Sequence, residues 1–321
     1  MVKNVRQKRC AALADRKRHE GELWRAMYAL IINPISGNGR GKRELPRVEA
    51  LLRRESVPYR TFVAESAVEA RTYARQAVEE NMAGVIAVGG DGTLFEVING
   101  LAGSGLTLLF ACCGTGNDFI KTLRLPKDPV EALRAQLHAP ISRIDIGRMN
   151  EVYFLNVSGT GFDVDVLRHA ETYKQTHKGL GVYLRGVRDA IRSFRPLEAR
   201  VGFDGAEARP RRFTIISIGN GQYIGGGMRA VPTAQVNDGF FDVVITRPIP
   251  RWAIGILMAI YVPGWYAHTP FVQRLRCKNL RLICPGMTVN LDGELIDCDD
   301  ADFELLASAL PVRIPGLPPR S

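Results

Sequence analysis

Between Met27 and about Leu137, short apolar runs alternate with stretches of helical spacing. The runs near 27–33, 58–64, 84–88 and 106–111 read as buried strands. The stretches near 42–55, 66–80, 93–102 and 117–123 read as helices, the first carrying Leu45, Val48, Leu51 and Leu52 on one face. Leu125-Pro126-Lys127-Asp128-Pro129 breaks the pattern, and a helix near 129–137 closes the segment. Strands alternating with helices predict a parallel sheet covered on both faces.

After Pro140 the texture changes to short alternating runs punctuated by Gly, Pro, Asn and Asp: 143–149, 151–157, 199–203, 211–219, 239–246, 279–284, 288–292 and 303–310. This predicts a β sandwich or barrel. Two helical insertions interrupt it, at about 164–193 and 250–261. Trp252–Tyr261 is apolar all round and flanked by Arg247 and Arg251. Burial is the expectation for it, and insertion at a membrane face the alternative. The chain thus divides into a basic arm (1–26), an α/β domain (27–139), a β-rich domain (140–312) and a Pro-rich tail (313–321), without internal repeats.

A length of 321 residues and 46% apolar content suit two globular domains. No apolar run reaches the roughly 18–20 residues that span a bilayer, and the basic start carries no apolar signal core. The six cysteines (Cys10, Cys112, Cys113, Cys277, Cys284, Cys298) show no CxxC pair, so free thiols in a reducing cytosol are expected. The net charge of +10 favours anionic partners. Zinc-finger spacing and aromatic RNA-binding strands are absent from the sequence, so no nucleic-acid partner is expected. The arm (Lys3, Arg6, Lys8, Arg9, Arg16, Lys17, Arg18, Arg25) and the stretch 164–195 (Lys174, Lys178, Arg185, Arg188, Arg192, Arg195) could each touch acidic lipid or stay solvated.

Candidate chemistry lies in the turns. Val85–Val88 runs into Gly89-Gly90-Asp91-Gly92-Thr93 and then into an amphipathic stretch expected to be helical from near Thr93. Glycines let backbone N–H groups approach an anion, and the helix points its positive end there. Asp91 puts a carboxylate where a metal-bridged phosphate would lie. A second turn, Cys113-Gly114-Thr115-Gly116-Asn117-Asp118, follows the run 107–111, and Asn33-Pro34-Ile35-Ser36-Gly37 follows 28–32. Three such turns at strand ends predict one crevice, because open α/β sheets bind ligands at the carboxyl ends of their strands.

The segments NPISG (33–37), GGDGTLFEVINGL (89–101), CGTGNDF (113–119), IGNGQYIGGGMRAVPTAQVNDGFFDV (218–243) and LDGE (291–294) together resemble the diacylglycerol kinase catalytic-domain superfamily, most of all its soluble bacterial lipid kinases. The resemblance covers roughly residues 27–312. It implies a Rossmann-like (phosphofructokinase-like) nucleotide-binding α/β domain followed by a β-sandwich domain, with the active site in the cleft between them. It implies ATP-dependent phosphorylation of a lipid hydroxyl, most simply diacylglycerol to phosphatidic acid. Asn33, Pro34, Ser36 and Gly37 would hold nucleotide; Gly90, Asp91, Gly92, Thr93 and Glu96 would cradle phosphates, with Asp91 ordering Mg²⁺. Thr115 would donate its hydroxyl to nucleotide, and Asn117 and Asp118 would brace that loop.

The resemblance makes Glu294 the general base, with Asp292 assisting through the metal. Read from residues alone, a hairpin turn with a solvated Glu is the preferred reading of Asp292-Gly293-Glu294; the resemblance reverses that. A structural Mg²⁺ is implied at Asp238, with carbonyls falling at Gln235 and Phe240; an Asx turn without metal is the alternative. Ile224-Gly225-Gly226-Gly227-Met228 suits a loop that substrate can approach closely, or a flexible hairpin. Many relatives carry Thr where this chain has Ala64, which leaves only a backbone contact with nucleotide there. An enzyme acting as a peripheral protein at the inner face of the membrane is the leading expectation. Kinases for another lipid, for NAD or for a soluble diol, and a non-enzymatic nucleotide- or lipid-binding regulator, are the rivals. An exposed β edge could pair in a homodimer.

Overall fold

A computed structural model describes residues 27–174 and 188–317. The basic arm, Lys178 and Arg185 lie outside the described residues. The chain forms two compact units. The first holds residues up to Thr115, Leu125–Ser142 and the chain from Leu310 onward; the second holds Gly116–Arg124 and Arg143–Ala309.

The first unit is a parallel sheet of β1 (Tyr28–Ile32), β2 (Tyr59–Val63), β3 (Gly84–Gly89) and β4 (Thr107–Cys112). Its order is β4-β3-β1-β2. β3 and β4 are buried along their whole length, as parallel strands covered on both faces should be, whereas edge strand β2 alternates. Helices α1 (Ser36–Arg54), α2 (Ala67–Glu79) and α3 (Asp91–Leu101) follow β1, β2 and β3.

Side-chain alternation sends Leu30, Ile32, Ile86, Val88, Leu109 and Ala111 to one face. They pack there against Val48, Leu51 and Leu52 of α1 and Val130 and Leu133 of a later helix, α5 (Pro129–Leu137). Each fully buried aliphatic side chain contributes about 1.5–3 kcal/mol. On the other pair of helices, a Cβ on Gly100 would sit 2.6 Å from Ala74 Cβ and from Arg71 O, so α2 and α3 meet backbone to backbone.

The run assigned to α1 is broken by a kink at Gly37, Asn38 and Gly39, all at positive φ, and the right-handed helix proper lies beyond them, close to the start near 42 that the sequence places. Helix α3 starts two residues earlier than expected, at Asp91. The short helix α4 (Asp118–Thr122) belongs to the second unit.

In the second unit, β5 (Ile141–Met149), β6 (Val152–Phe154), β7 (Val157–Gly161), helix α6 (Phe162–Lys174), β8 (Leu197–Phe203), β9 (Arg209–Phe213), β10 (Ile215–Gly219) and β11 (Phe241–Thr246) come first. A 3₁₀ turn (Arg251–Ala253), helix α7 (Ile254–Tyr261) and a second 3₁₀ turn (Trp265–His268) lead into β12 (Val272–Cys277), β13 (Asn279–Leu291) and β14 (Glu294–Arg313), whose residues from Leu310 belong to the first unit. The antiparallel order is β12-β11-β10-β7-β13-β14, with β8 on β13, β9 on β8, β5 on β14 and β6 on β5.

Three expectations are corrected here. The runs 279–284 and 288–292 are one strand, interrupted by a register shift between Ile283 and Met287. β14 begins at Glu294, not at 303, and β12 was not anticipated. Helix α7 is not buried all round. Ile254, Leu257 and Tyr261 enter the core with Phe162, Phe194 and Tyr266, while Ile256 faces solvent. Among the described residues no helix is long and apolar enough to cross a membrane.

Candidate active site

The order β4-β3-β1-β2 reverses chain direction between β1 and β3, so the topological switch point lies where the turns after these two strands meet. Asn33 donates its N–H to Val88 O at 3.0 Å, and its Oδ1 accepts from Ile35 N at 3.1 Å, an Asx turn that bends the chain into α1. Ser36 Oγ lies 3.4 Å from Thr93 Oγ1. Gly37 has φ +58°, and a Cβ there would come within 1.9 Å of Cys113 O, so only glycine lets the first and third turns touch. A Cβ on Gly90 would stand 3.1 Å from Gly114 Cα. The predicted residues Asn33, Pro34, Ser36, Gly37, Gly90, Asp91, Gly92 and Thr93 therefore gather with Gly114 at one end of the sheet.

Gly90 caps α3 without a side-chain hydrogen bond, which leaves the first-turn N–H groups directed outward from the helix end. Asp91 stands in that first turn and adds to the burial that pushes the neighbouring Cys112 thiol far up. Burial likewise pushes the Cys113 thiol up to about 12, so neither cysteine is a nucleophile here. Thr93 is buried, its side chain under Gly89 and its hydroxyl toward Ser36.

Glu96 Oε2 accepts from Arg71 Nε at 2.6 Å, a bridge between α2 and α3. Ala64 is fully buried and spends its N–H on Ile32 O at 2.7 Å, so that N–H is already taken. Cations that sequence reasoning passed over stand beside the left-handed turn. Lys42 and Arg43 are exposed, and Arg43 Nη1 donates to Asn38 O at 3.3 Å. The signal was legible as GNGRGKR directly after the first turn.

Thr115 is exposed and ends its part of the first unit; Asn117, at φ 50°, opens α4 in the second. Asp118 is buried. Its Oδ1 accepts from Lys121 Nζ at 2.9 Å and its Oδ2 from Gly226 N at 2.7 Å, so it braces the Gly225-Gly226-Gly227 loop. All three glycines of that loop have positive φ, and Ile224 pairs with Met228 across it.

Asp292 and Gly293 have φ 51° and 105°, the left-handed pair of a tight two-residue hairpin that sets Leu291 opposite Glu294. Asp292 Oδ2 accepts from Leu155 N at 2.6 Å, and its Oδ1 from Asn156 N at 2.9 Å and Val157 N at 3.0 Å. Its carboxylate anchors the turn through these three N–H groups. Glu294 is exposed at the start of β14.

Asp238 Oδ1 accepts from Phe240 N at 3.1 Å, and its Oδ2 accepts from Arg276, whose guanidinium also lies 3.6 Å from Asp242 and over the Phe240 ring. Gln235 is exposed. A guanidinium thus already balances the carboxylate, and the residues do not fit Mg²⁺ without displacing Arg276. Among the described residues no cluster of three His, Cys, Asp or Glu could hold a metal.

Sequence reasoning missed an apolar pocket in the second unit. Phe162, Val166, Ile215, Met228, Met258 and Tyr261 wall it, Gly293 forms part of its edge, and Asp163 and Asn290 are its polar lining. Asn290 is fully buried; its Oδ1 accepts from Gly293 N at 2.8 Å, and its amide faces the Asp163 carboxyl. Asp163 is buried with it. Burial pushes the Asp163 carboxyl up to about 6, against the pull of the Val164 N–H and the Asn290 amide. A short polar edge in an otherwise apolar pocket suits a ligand with a polar end and hydrocarbon elsewhere.

The sequence profile of the diacylglycerol kinase catalytic domain matches residues 27–149, and that of the YegS C-terminal NAD kinase beta sandwich-like domain matches 156–314. The diacylglycerol kinase of Staphylococcus aureus (strain bovine RF122 / ET3-1) is 30% identical over 271 residues, covering 83% of this chain and 85% of that one. The diacylglycerol kinase of Mycobacterium tuberculosis (strain ATCC 25618 / H37Rv) is 29% identical over 291 residues, covering 89% and 94%. A crystal structure of a diacylglycerol kinase from Bacillus anthracis superposes with a TM-score of 0.72 at 20% identity, over 91% of this chain and 98% of that one, which shows the shared fold. The α/β unit with its phosphate-type turns, the β-sandwich unit and these relatives agree: the chain belongs to the diacylglycerol kinase family and is a lipid kinase.

Proposed function

We propose that the protein transfers the γ-phosphoryl group of ATP to the free hydroxyl of diacylglycerol, giving phosphatidic acid and ADP. The observation that carries the acceptor class is the apolar pocket beside Gly293, whose polar atoms are confined to Asp163 and Asn290. Acyl chain would occupy its apolar walls. Asn290 Nδ2 would donate to an ester carbonyl, and Asp163 would take the remaining polar contact.

In this reading residues 27–139 hold nucleotide and 140–312 hold lipid. The glycine turns at Gly37 and Gly90, the first-turn N–H groups of α3 and the cations Lys42 and Arg43 receive the phosphates. Thr115 contacts the nucleotide. Asp91 supplies the carboxylate for the Mg²⁺ that accompanies ATP, an ion that offsets phosphate charge when bound. The hydroxyl oxygen forms the new bond to Pγ as the bond from Pγ to the bridging oxygen breaks. Its proton passes to Glu294, a step that contributes typically about 10²–10⁴-fold. Cytoplasmic residence and peripheral contact with the inner face of the membrane follow from this substrate.

Glu294→Ala tests the role of the base. It is expected to bind ATP as the parent does and to lose turnover; retained turnover removes Glu294 from the mechanism. Incubation with NAD and ATP tests the soluble-diol rival in the same assay, and phosphorylated NAD would favour that rival.

A further inference from the structure

The outer side of α7 carries an apolar surface that the pocket does not use. Trp252 is 77% exposed, Trp265 69%, Ile256 60% and Val262 49%. Four of the eight exposed large hydrophobics among the described residues therefore fall within 252–265, a concentration rather than a scatter. The same segment buries Ile254, Leu257, Tyr261 and Tyr266, so the exposed side chains stand on a packed support.

Charge decides what would cover this face. No Asp or Glu occurs between Asp242 and Asp292, while Arg247, Arg251, Arg274, Arg276, Lys278 and Arg281 do. Arg276 and Arg281 are engaged by Asp238 and Asp300. Arg247 and Arg251 are exposed at the start of the apolar segment, and Arg251 Nε is fixed by Phe194 O at 3.0 Å. Tryptophan belongs at the headgroup boundary of a bilayer, and arginine beside it meets anionic lipid. A second copy of this chain, itself carrying +10, would bring more positive charge to the same place.

We propose that the face made by Trp252, Ile256, Val262 and Trp265, with Arg247 and Arg251 at its rim, seats on an anionic lipid bilayer. Helix α7 then has the membrane on one side and the pocket on the other, since Met258 and Tyr261 line that pocket. This deepens the lipid-kinase reading and rests on it for the identity of the substrate, but docking is measurable without turnover.

The test uses the full chain carrying Trp24→Phe, so that Trp252 and Trp265 report alone. It is mixed with vesicles of equimolar phosphatidylcholine and phosphatidylglycerol containing brominated acyl chains. Quenching of tryptophan emission is expected, together with at least about tenfold weaker vesicle sedimentation for Ile256→Asp. Turnover of Ile256→Asp on monomeric dihexanoylglycerol, without vesicles, should equal the parent's, and its unchanged melting temperature guards against misfolding. Unquenched tryptophans, or sedimentation indifferent to Ile256→Asp, overturns the proposal, as does a dimer in solution that Ile256→Asp dissociates. Quenching without phosphorylation of any lipid would keep the docking face and defeat the lipid-acceptor reading.

Discussion

Asp292 Oδ1 accepts the N–H of Asn156 at 2.9 Å, so the turn that presents Glu294 hangs from the connection between β6 and β7. Two further N–H groups, of Leu155 and Val157, share the same carboxylate. A carboxamide has one acceptor atom in place of two, and its NH₂ would face an N–H group. Asp292→Asn is expected to lose roughly 2–3 kcal/mol of stability and most turnover together. Thermal unfolding and the lipid-kinase rate check this. A variant with parental stability but no turnover would return Asp292 to a direct chemical role.

Asp163 is expected to trade stability for lipid binding. Its carboxyl has an ordinary value of 3.8 and is raised by burial to about 6 in the fold. A raised carboxylic pKa means that ionisation costs the folded state. The penalty is full above about 6, shrinks as pH falls from there, and is gone below 3.8. Asp163→Asn should therefore be more stable than the parent at pH 7–8, by on the order of 1–3 kcal/mol, with the gain vanishing toward pH 4. The same variant should raise the KM for diacylglycerol and leave that for ATP unchanged. Melting curves across this pH range and a split of the two KM values read both effects. An unaltered lipid KM would remove Asp163 from the acceptor site.

Gln136 is fully buried and pairs twice with Phe110: its Nε2 donates to Phe110 O at 2.7 Å and its Oε1 accepts from Phe110 N at 2.9 Å. The side chain stands in for a neighbouring strand along β4. Gln136→Leu would strand two buried backbone groups and should cost about 2–4 kcal/mol, visible as a lower denaturant midpoint. ATP binding per folded molecule should persist. A loss below about 0.5 kcal/mol would mean that β4 finds another partner.

The α/β half was legible because parallel strands are continuous apolar runs, and the turns carry their glycines at strand ends. The kink at Gly37–Gly39 was not legible, because its left-handed backbone leaves no mark in the hydrophobic pattern. In the β-rich half, β12 escaped because Arg274 and Arg276 place charge on its outer side. The start of β14 escaped because Asp297 and Asp299 are exposed within a paired strand. Glu96 and Asp118 carry motif letters, yet their partners Arg71 and Gly226 are distant in sequence, so no spacing could assign their contacts. The pocket was illegible for the same reason: Phe162, Met258 and Asn290 meet only through the fold.

Labelled ATP with Mg²⁺, offered diacylglycerol, phosphatidylglycerol, monoacylglycerol and a sphingoid base in mixed micelles beside NAD and a water-soluble diol, tests the central claim most directly. Labelled phosphatidic acid formed from diacylglycerol, and lost in Glu294→Ala, is the predicted result. Label on NAD or the soluble diol with none on any lipid would contradict it.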